Sequence, residues 1–292
     1  MPGREYITMA IFTLNIKRSA VTGLALICLQ NAPAHAESIA PNSDTRERWR
    51  VDYSDIGYPN VGFSPYIEGW INGYLTPADY PDGAAILPAP PIEGSAAWKA
   101  DVETFYQLRK LRDTPRGRLA VEDANLSFNA IGRAFSAALG TEISRQRTPH
   151  THLLLSRLLT DAGYASNGAK KAHARIRPYS ALRVESCTPQ EHSALSNDGG
   201  SYPSGHAVTG FVWAMTLTAM VPQRATELMR KGYEFGRSRL ICGVHWASDV
   251  EAGRVLAAGA FARLQASAEY QQQFREAKRE IDRLLQQQTE ER

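Results

Sequence analysis

Apolar residues recur along much of the chain at steps of three and four, the period of an α-helix that turns one face to a core. Trp98, Val102, Phe105, Leu108 and Leu111 form the first such series, and Asp113-Thr-Pro-Arg-Gly117 breaks it. Leu126, Phe128, Ile131 and Phe135 form the next, which stops near Gly140. Thr148-Pro149 supplies a cap followed by proline at the first turn, and so opens a helix through Leu158 and Leu159. Ser204 caps another that runs through Val208, Phe211, Trp213 and Leu217 to Pro222. Pro222 opens a further helix ending near Gly243, and one more begins around Ala247 with Val250, Val255 and Leu256. There is no alternating strand pattern, internal repeat or dividing linker. The pattern predicts an all-α fold: one compact helical domain over residues 96–266. Residues 267–292 are rich in Gln, Glu and Arg, and Phe274, Ile281, Leu284 and Leu285 give them a thin apolar stripe, so they read as a C-terminal surface helix. Residues 37–95 are rich in Pro, Gly, Tyr and Asp. They read as an irregular segment packed on the domain, because Tyr66, Trp70, Ile71, Tyr74 and Leu75 do not suit a solvated tail. Disorder is the alternative for residues 37–60.

The first 36 residues have a different organisation. Arg4, Lys17 and Arg18 outnumber Glu5, an apolar run follows from Ala20 to Leu29, and Ala34-His-Ala36 closes the segment. That is the order of a secretory signal peptide cut near Ala36. The apolar run is too short to cross a bilayer, which takes about 20 residues. The segment 207–221 is also short and holds three threonines, so it suits a buried helix better than a span. A lipoprotein signal at Cys28 would need a small residue where Ile27 stands.

Composition adds little beyond class. Of 292 residues, 43% are hydrophobic and 22% charged, which excludes intrinsic disorder and a disulfide-dense miniprotein. The formal charge of +3 falls closer to neutral without the leader, so no basic patch argues for nucleic acid. Export would leave Cys187 and Cys242 in an oxidising compartment, where they are a candidate disulfide. A buried pair of free thiols fits the sequence equally well.

The chemistry-bearing residues fall in three blocks: Lys170 to Pro178, Gly200 to His206, and Ser238 to Asp249. Taken singly each has a bland reading, as a solvated basic face, a turn with a helix cap, or a structural histidine. Together they describe a site for a phosphate-like anion. Lys170, Arg177 and Arg239 supply fixed positive charge, and arginine grips two oxygens with its planar fork. Ser204 opens a helix whose first amides, with those of Gly205 and His206, point at an anion. His245 and Asp249 are four residues apart, adjacent on one helical face if the helix starts early enough. A carboxylate on one imidazole nitrogen leaves the other as an attacking lone pair. His206 then handles the leaving-group proton.

These blocks carry the pattern K-x6-R-P, P-S-G-H and S-R-x5-H-x3-D with every fixed position filled. The chain therefore resembles the type 2 phosphatidic acid phosphatase superfamily, which includes the vanadium haloperoxidases. Leu87-Pro-Ala-Pro-Pro91, Leu111-Arg-Asp-Thr-Pro-Arg-Gly117, Glu122-Asp-Ala-Asn125 and Gly200-Ser-Tyr-Pro-Ser-Gly-His206 narrow the likeness to the class A bacterial non-specific acid phosphatases, over roughly residues 65 to 260. His173-Ala174 replaces an aromatic usual in that branch, and Tyr179 a common Phe. The resemblance implies a helical fold of the type 2 phosphatidic acid phosphatase kind, periplasmic location, and metal-free hydrolysis of small phosphomonoesters, nucleotides among them, with no cofactor. It implies His245 as nucleophile, His206 as acid, Asp249 as orienter, and Lys170, Arg177, Ser204, Gly205 and Arg239 as phosphate ligands. The state of association stays open, with a homo-oligomer allowed.

His150 and His152 are two apart on a helix start and make a poor metal pair. His173 fills no fixed position, His192 could line the pocket rim, and Asp198 reads as a turn residue. Among rival functions, phosphotransfer to an alcohol or nucleoside is the nearest. A haloperoxidase would be expected to be longer, a membrane lipid phosphatase would need spans, and a non-catalytic binding module would have lost an essential group.

Overall fold

The computed structural model describes residues 51–64, 69–192, 195 and 200–291. These belong to one unit, Ser43–Arg292. The segment read as an export signal, and Asp198, lie outside the described residues.

The chain enters as a small antiparallel hairpin, β1 (Val51–Tyr53) and β2 (Tyr58–Val61), turned at Gly57 with φ 88°. Sequence periodicity missed it because each strand is too short to show an alternation. Tyr53, Val61 and Ile71 pack on Leu153, and the Tyr53 hydroxyl lies 2.6 Å from His152 Nδ1. Residues 71–75 then dock through polar groups. Thr160 Oγ1 donates to Ile71 O, Arg157 donates to Asn72 O and Gly73 O, and the amides of Tyr74 and Leu75 donate to Asp161. These side chains satisfy backbone groups that would otherwise be buried unpaired.

Helices follow: α1 (Gly83–Ile86), α2 (Ala96–Arg109), α3 (Pro115–Glu122), α4 (Phe128–Leu139), α5 (Pro149–His173), α6 (Pro178–Ala181), α7 (Gly205–Met220), α8 (Ala225–Cys242), α9 (Ala247–Leu264) and α10 (Ala268–Glu290). Two differ from the sequence expectation. Asp113–Gly117 is not only a break: Thr114 accepts from Gly117 N, Pro115 takes the first turn, and α3 begins there. Helix α5 also runs well past Leu159, so that its last turn carries Lys170.

Helix α7 is the centre. It packs against α8, α9 and α5, and buries Val208, Val212, Trp213, Ala214 and Leu217. Ile131, Phe135 and Leu139 of α4, Leu154, Leu155 and Leu158 of α5, and Phe235 of α8 complete that core. Each large apolar side chain buried in this way contributes about 1.5–3 kcal/mol. Helix α10 adds Tyr270, Ala277 and Ile281 to the same core. Its buried Glu280 accepts from His150 N, Thr151 N and Thr151 Oγ1, and so caps the start of α5.

Candidate active site

The three blocks meet at the ends of helices. Helix α5 ends at Ala174, which takes φ 42°, and the chain turns sharply into Arg175-Ile-Arg177. Gly200 packs on that turn: a Cβ there would stand 2.9 Å from Arg175 N, and its own φ is 122°. Ser201 N donates to Arg175 O at 2.7 Å. The first block is thereby clasped to the second. Ser204 caps α7, and its amide donates to Asp249 O at 2.9 Å, which ties the second block to the third.

The cations converge. Lys170 Nζ and Arg177 Nη2 both donate to Gly200 O at 3.0 Å, and Arg177 Nη1 donates to Val244 O at 3.0 Å. Arg239, fully buried, gives Nη2 to Glu191 at 2.7 Å, while its Nε and Nη1 have no partner among the described residues. Burial lowers the Arg239 guanidinium, and Glu191 opposes that. Nothing in the protein's own packing demands glycine at 205, where a Cβ would meet only Ser166 Oγ at 3.6 Å.

His245 precedes α9, which begins at Ala247, where the sequence pattern starts that helix. Asp249 sits in the first turn and accepts from Trp246 N at 2.8 Å, an N-terminal cap that also brings its Oδ2 within 3.4 Å of His245 Nδ1. The other ring nitrogen, Nε2, lies 3.2 Å from Arg177 Nη1. Since a guanidinium only donates, Nε2 bears the lone pair and Nδ1 the proton. Burial, then Arg177, Lys170 and Arg239, hold the His245 pKa well below its ordinary value. His206 Nε2 lies 3.0 Å from Ala124 O, a pure acceptor, so that nitrogen carries a proton and Nδ1 is the reactive one. Burial and Arg239 hold its pKa well down too.

Sequence reasoning passed over several groups that the structure brings here. Ser201 Oγ donates to Asp249 Oδ2 at 2.5 Å, and Arg175 Nη1 lies 2.6 Å from Asp249 Oδ1. Asp101 on α2 holds the other arm of Arg175 at 2.8 Å. Asp123 accepts from Ser238 at 2.6 Å and pairs with Lys231 at 3.0 Å. One signal could have found Asp101, since it stands between Trp98 and Phe105 on an otherwise apolar face.

The blocks quoted only for resemblance also acquire physical reasons. Arg112 donates to Ile241 O and Cys242 O at the end of α8, and Arg116 grips Glu234 and Ser238. Tyr202 donates to Pro88 O. Cys187 and Cys242 are joined in a disulfide with Cα atoms 4.6 Å apart. A cavity of about 1150 Å³ opens beside the site, lined by Asp123, Ala124, Asn125, Arg133, Glu191 and Lys231 among others.

His192 stacks on Tyr179 at 3.9 Å and meets Ser186 Oγ. His152 is held down to about 4 by burial, with Arg145 adding to the shift. His150 and His173 also lie elsewhere, against Glu276 and Tyr202. Among the described residues no three His, Cys, Asp or Glu side chains are grouped to hold a metal ion, and no helix is long and apolar enough to cross a membrane.

Three cations and two imidazoles thus gather at helix ends, and a model of the PAP2 superfamily matches residues 150–273. A non-specific acid phosphatase of Providencia stuartii is 40% identical over 212 residues, covering 72% of this chain and 85% of that protein. One from Salmonella typhimurium is 38% identical over 73% of this chain and 85% of its own. An acid phosphatase of Zymomonas mobilis is 32% identical over 69% and 76%. The chain belongs to the class A non-specific acid phosphatases, phosphomonoester hydrolases within that superfamily.

Proposed function

We propose that the protein is an exported acid phosphatase that hydrolyses small phosphomonoesters, nucleotides included, through a phosphohistidine and without a metal. The observation that carries this is the Arg239 guanidinium, wholly buried with Nε and Nη1 unpartnered among the described residues, beside Lys170, Arg177 and two neutral imidazoles. Unsatisfied buried donors are costly, about 1–3 kcal/mol each or more when charged. A tetrahedral dianion would satisfy them.

In this reading Lys170, Arg177, Arg239, Ser204 and the amides at Gly205 and His206 hold the non-bridging oxygens. With the dianion bound, its charge offsets the cationic field and His206 is protonated on both nitrogens; the His245 Nε2 lone pair then attacks phosphorus, the bond to the leaving oxygen breaks, and His206 gives that oxygen its Nδ1 proton and becomes neutral. Asp249 accepts from Nδ1–H and stabilises the cationic ring. Water, losing a proton to His206, then breaks the N–P bond and releases phosphate. Charge stabilisation and positioning dominate such transfers, and here fixed cations supply them. The adjoining cavity receives the leaving group.

Rapid quenching of the purified enzyme with nitrophenyl phosphate and EDTA tests the reading. Acid-labile phosphate should appear on wild-type protein and never on His245→Ala. If His245→Ala acquires it while His206→Ala does not, the two roles are reversed. Export is checked separately, by a mature N-terminus at Glu37 in protein from the producing cell.

A further inference from the structure

Asp249 lies at 0% exposure with a positively charged group on one oxygen and an imidazole on the other. A carboxylate so placed is costly to ionise, and burial does push its pKa up. What opposes burial, first of all, is Arg175 at 2.6 Å, followed by Ser201 and the Trp246 amide. Arg175 has few other options. Its Nη1 also donates to Ser248 Oγ at 2.7 Å, its Nη2 meets Asp101 at 2.8 Å, and its guanidinium lies 5.2 Å from the Trp246 ring. Asp101 is buried as well and accepts from Ser248 N at 2.9 Å, so it is fixed from both sides.

We infer that Asp101 and Arg175 are positioning residues: a buried chain Asp101–Arg175–Asp249–His245 runs from α2 to the nucleophile and holds Asp249 ionised and aimed at Nδ1. The Arg175 side chain is directed at Asp249 and Ser248 in the first turn of α9, and that of Asp101 at Arg175 and Ser248. The formal charge of the four is negative while the His245 ring is neutral. It cancels once the ring, phosphorylated on Nε2 and protonated on Nδ1, becomes cationic. The chain thus matches the intermediate better than the resting state, which is how a charged framework lowers a barrier. Two-oxygen geometry makes the arginine specific: Nη1 and Nη2 span two carboxylates at once, which a lysine ammonium does with less constraint. The inference rests on the phosphohistidine reading for its charge argument and on geometry alone for the coupling to Asp249.

The test is a double-mutant cycle on the full-length mature enzyme, with Arg175→Met, Arg175→Lys, Asp101→Asn, Asp249→Asn and Arg175→Met combined with Asp249→Asn. Outer partners of metal-bound histidines are worth about 10–100-fold in activity, and by the same orienting logic Arg175→Met should lower kcat by about that factor. Arg175→Lys should recover part of the loss. The inhibition constant for inorganic phosphate should stay within about threefold, because the anion ligands are untouched. The acid limb of the kcat profile should move to higher pH as Asp249 loses its compensating charge; the other charged groups facing it through His245, Arg177, Lys170 and Arg239, are unchanged. Added to Asp249→Asn, Arg175→Met should cost little more, since its partner charge is already gone. Multiplicative losses in the cycle, an unmoved acid limb, or weakened inorganic phosphate binding equal to the loss in kcat would each overturn the inference. Should Arg175→Met not fold, Arg175→Lys and Asp101→Asn carry the same comparisons. If no phosphoenzyme is trapped in any variant while the cycle stays non-multiplicative, the phosphohistidine reading fails and the charge chain stands.

Discussion

Gly253→Ala puts one methyl group where α9 crosses the start of α7. An added Cβ would lie 2.5 Å from Ser204 O and 2.8 Å from Ala207 Cβ. Neither neighbour is a flexible tip: one is the carbonyl of the helix cap, the other a side chain with no rotamer. Ordinary contact begins at 3.4 Å, so the two helices must part by roughly an ångström. Overpacking of this kind costs about 1–3 kcal/mol, and alanine in place of a mid-helix glycine returns about 1 kcal/mol. The net loss of stability should therefore be small, about 0–2 kcal/mol. Activity should suffer far more. Asp249 stands one turn before Gly253 on α9, and Ser204 opens the helix that carries His206, so the shift separates the second block from the third. A misplacement of about 1 Å can cost about 10²-fold in rate. Urea unfolding gives the first quantity and kcat on nitrophenyl phosphate at acid pH the second. Gly259→Ala on the same helix is the control, since its Cβ would meet only Pro81 Cγ at 3.7 Å, and it should be neutral or stabilising. A Gly253→Ala enzyme that folds cooperatively and keeps kcat within about twofold would refute the claim that this crossing sets the site.

The pH dependence should separate free enzyme from complex. His206 must be protonated to act, and its pKa in the empty site lies well below ordinary through burial and Arg239, so kcat/KM should fall as pH rises through a low value. A bound phosphoryl anion offsets that positive field, so the basic limb of kcat should stand at higher pH; coincident limbs would sink this account. Reducing the Cys187–Cys242 bond, which closes a separation of 55 residues, should cost about 2–4 kcal/mol in denaturant titrations, and unreduced denatured mature protein should show no free thiol. Glu280→Ala removes the acceptor for three donors at the start of α5 and should destabilise by about 1–2 kcal/mol with kcat unchanged, measured by thermal melts and nitrophenyl phosphate turnover.

The helices around the core were legible because their apolar faces repeat over three or more turns: α4 and α7 stand where Ile131, Phe135, Val208 and Leu217 put them. The hairpin was not, because β1 and β2 hold three and four residues and their burial is set by Leu153, far along the chain. The three blocks were legible as motifs. Their mutual geometry was not: the approach of Asp249 to His245 Nδ1 across the start of α9 follows from Asp249 capping Trp246 N, a backbone event with no period. Asp101 and Arg175 were passed over for a related reason. Their importance comes from a contact between distant segments, 2.8 Å in space and 74 residues apart.

The cavity beside the site is lined chiefly by residues 119–134, with Gln190, Glu191 and Lys231 added. The residues assigned to phosphorus all lie between Lys170 and Asp249. In the proposed reaction, recognition of the organic group would fall chiefly to the earlier stretch of chain and treatment of the phosphoryl group to the later one, joined at the Ala124–His206 and Asp123–Ser238 bonds. Such a division lets one stretch drift under selection for new esters while the other stays fixed. Breadth of substrate then becomes a heritable variable independent of the reaction itself.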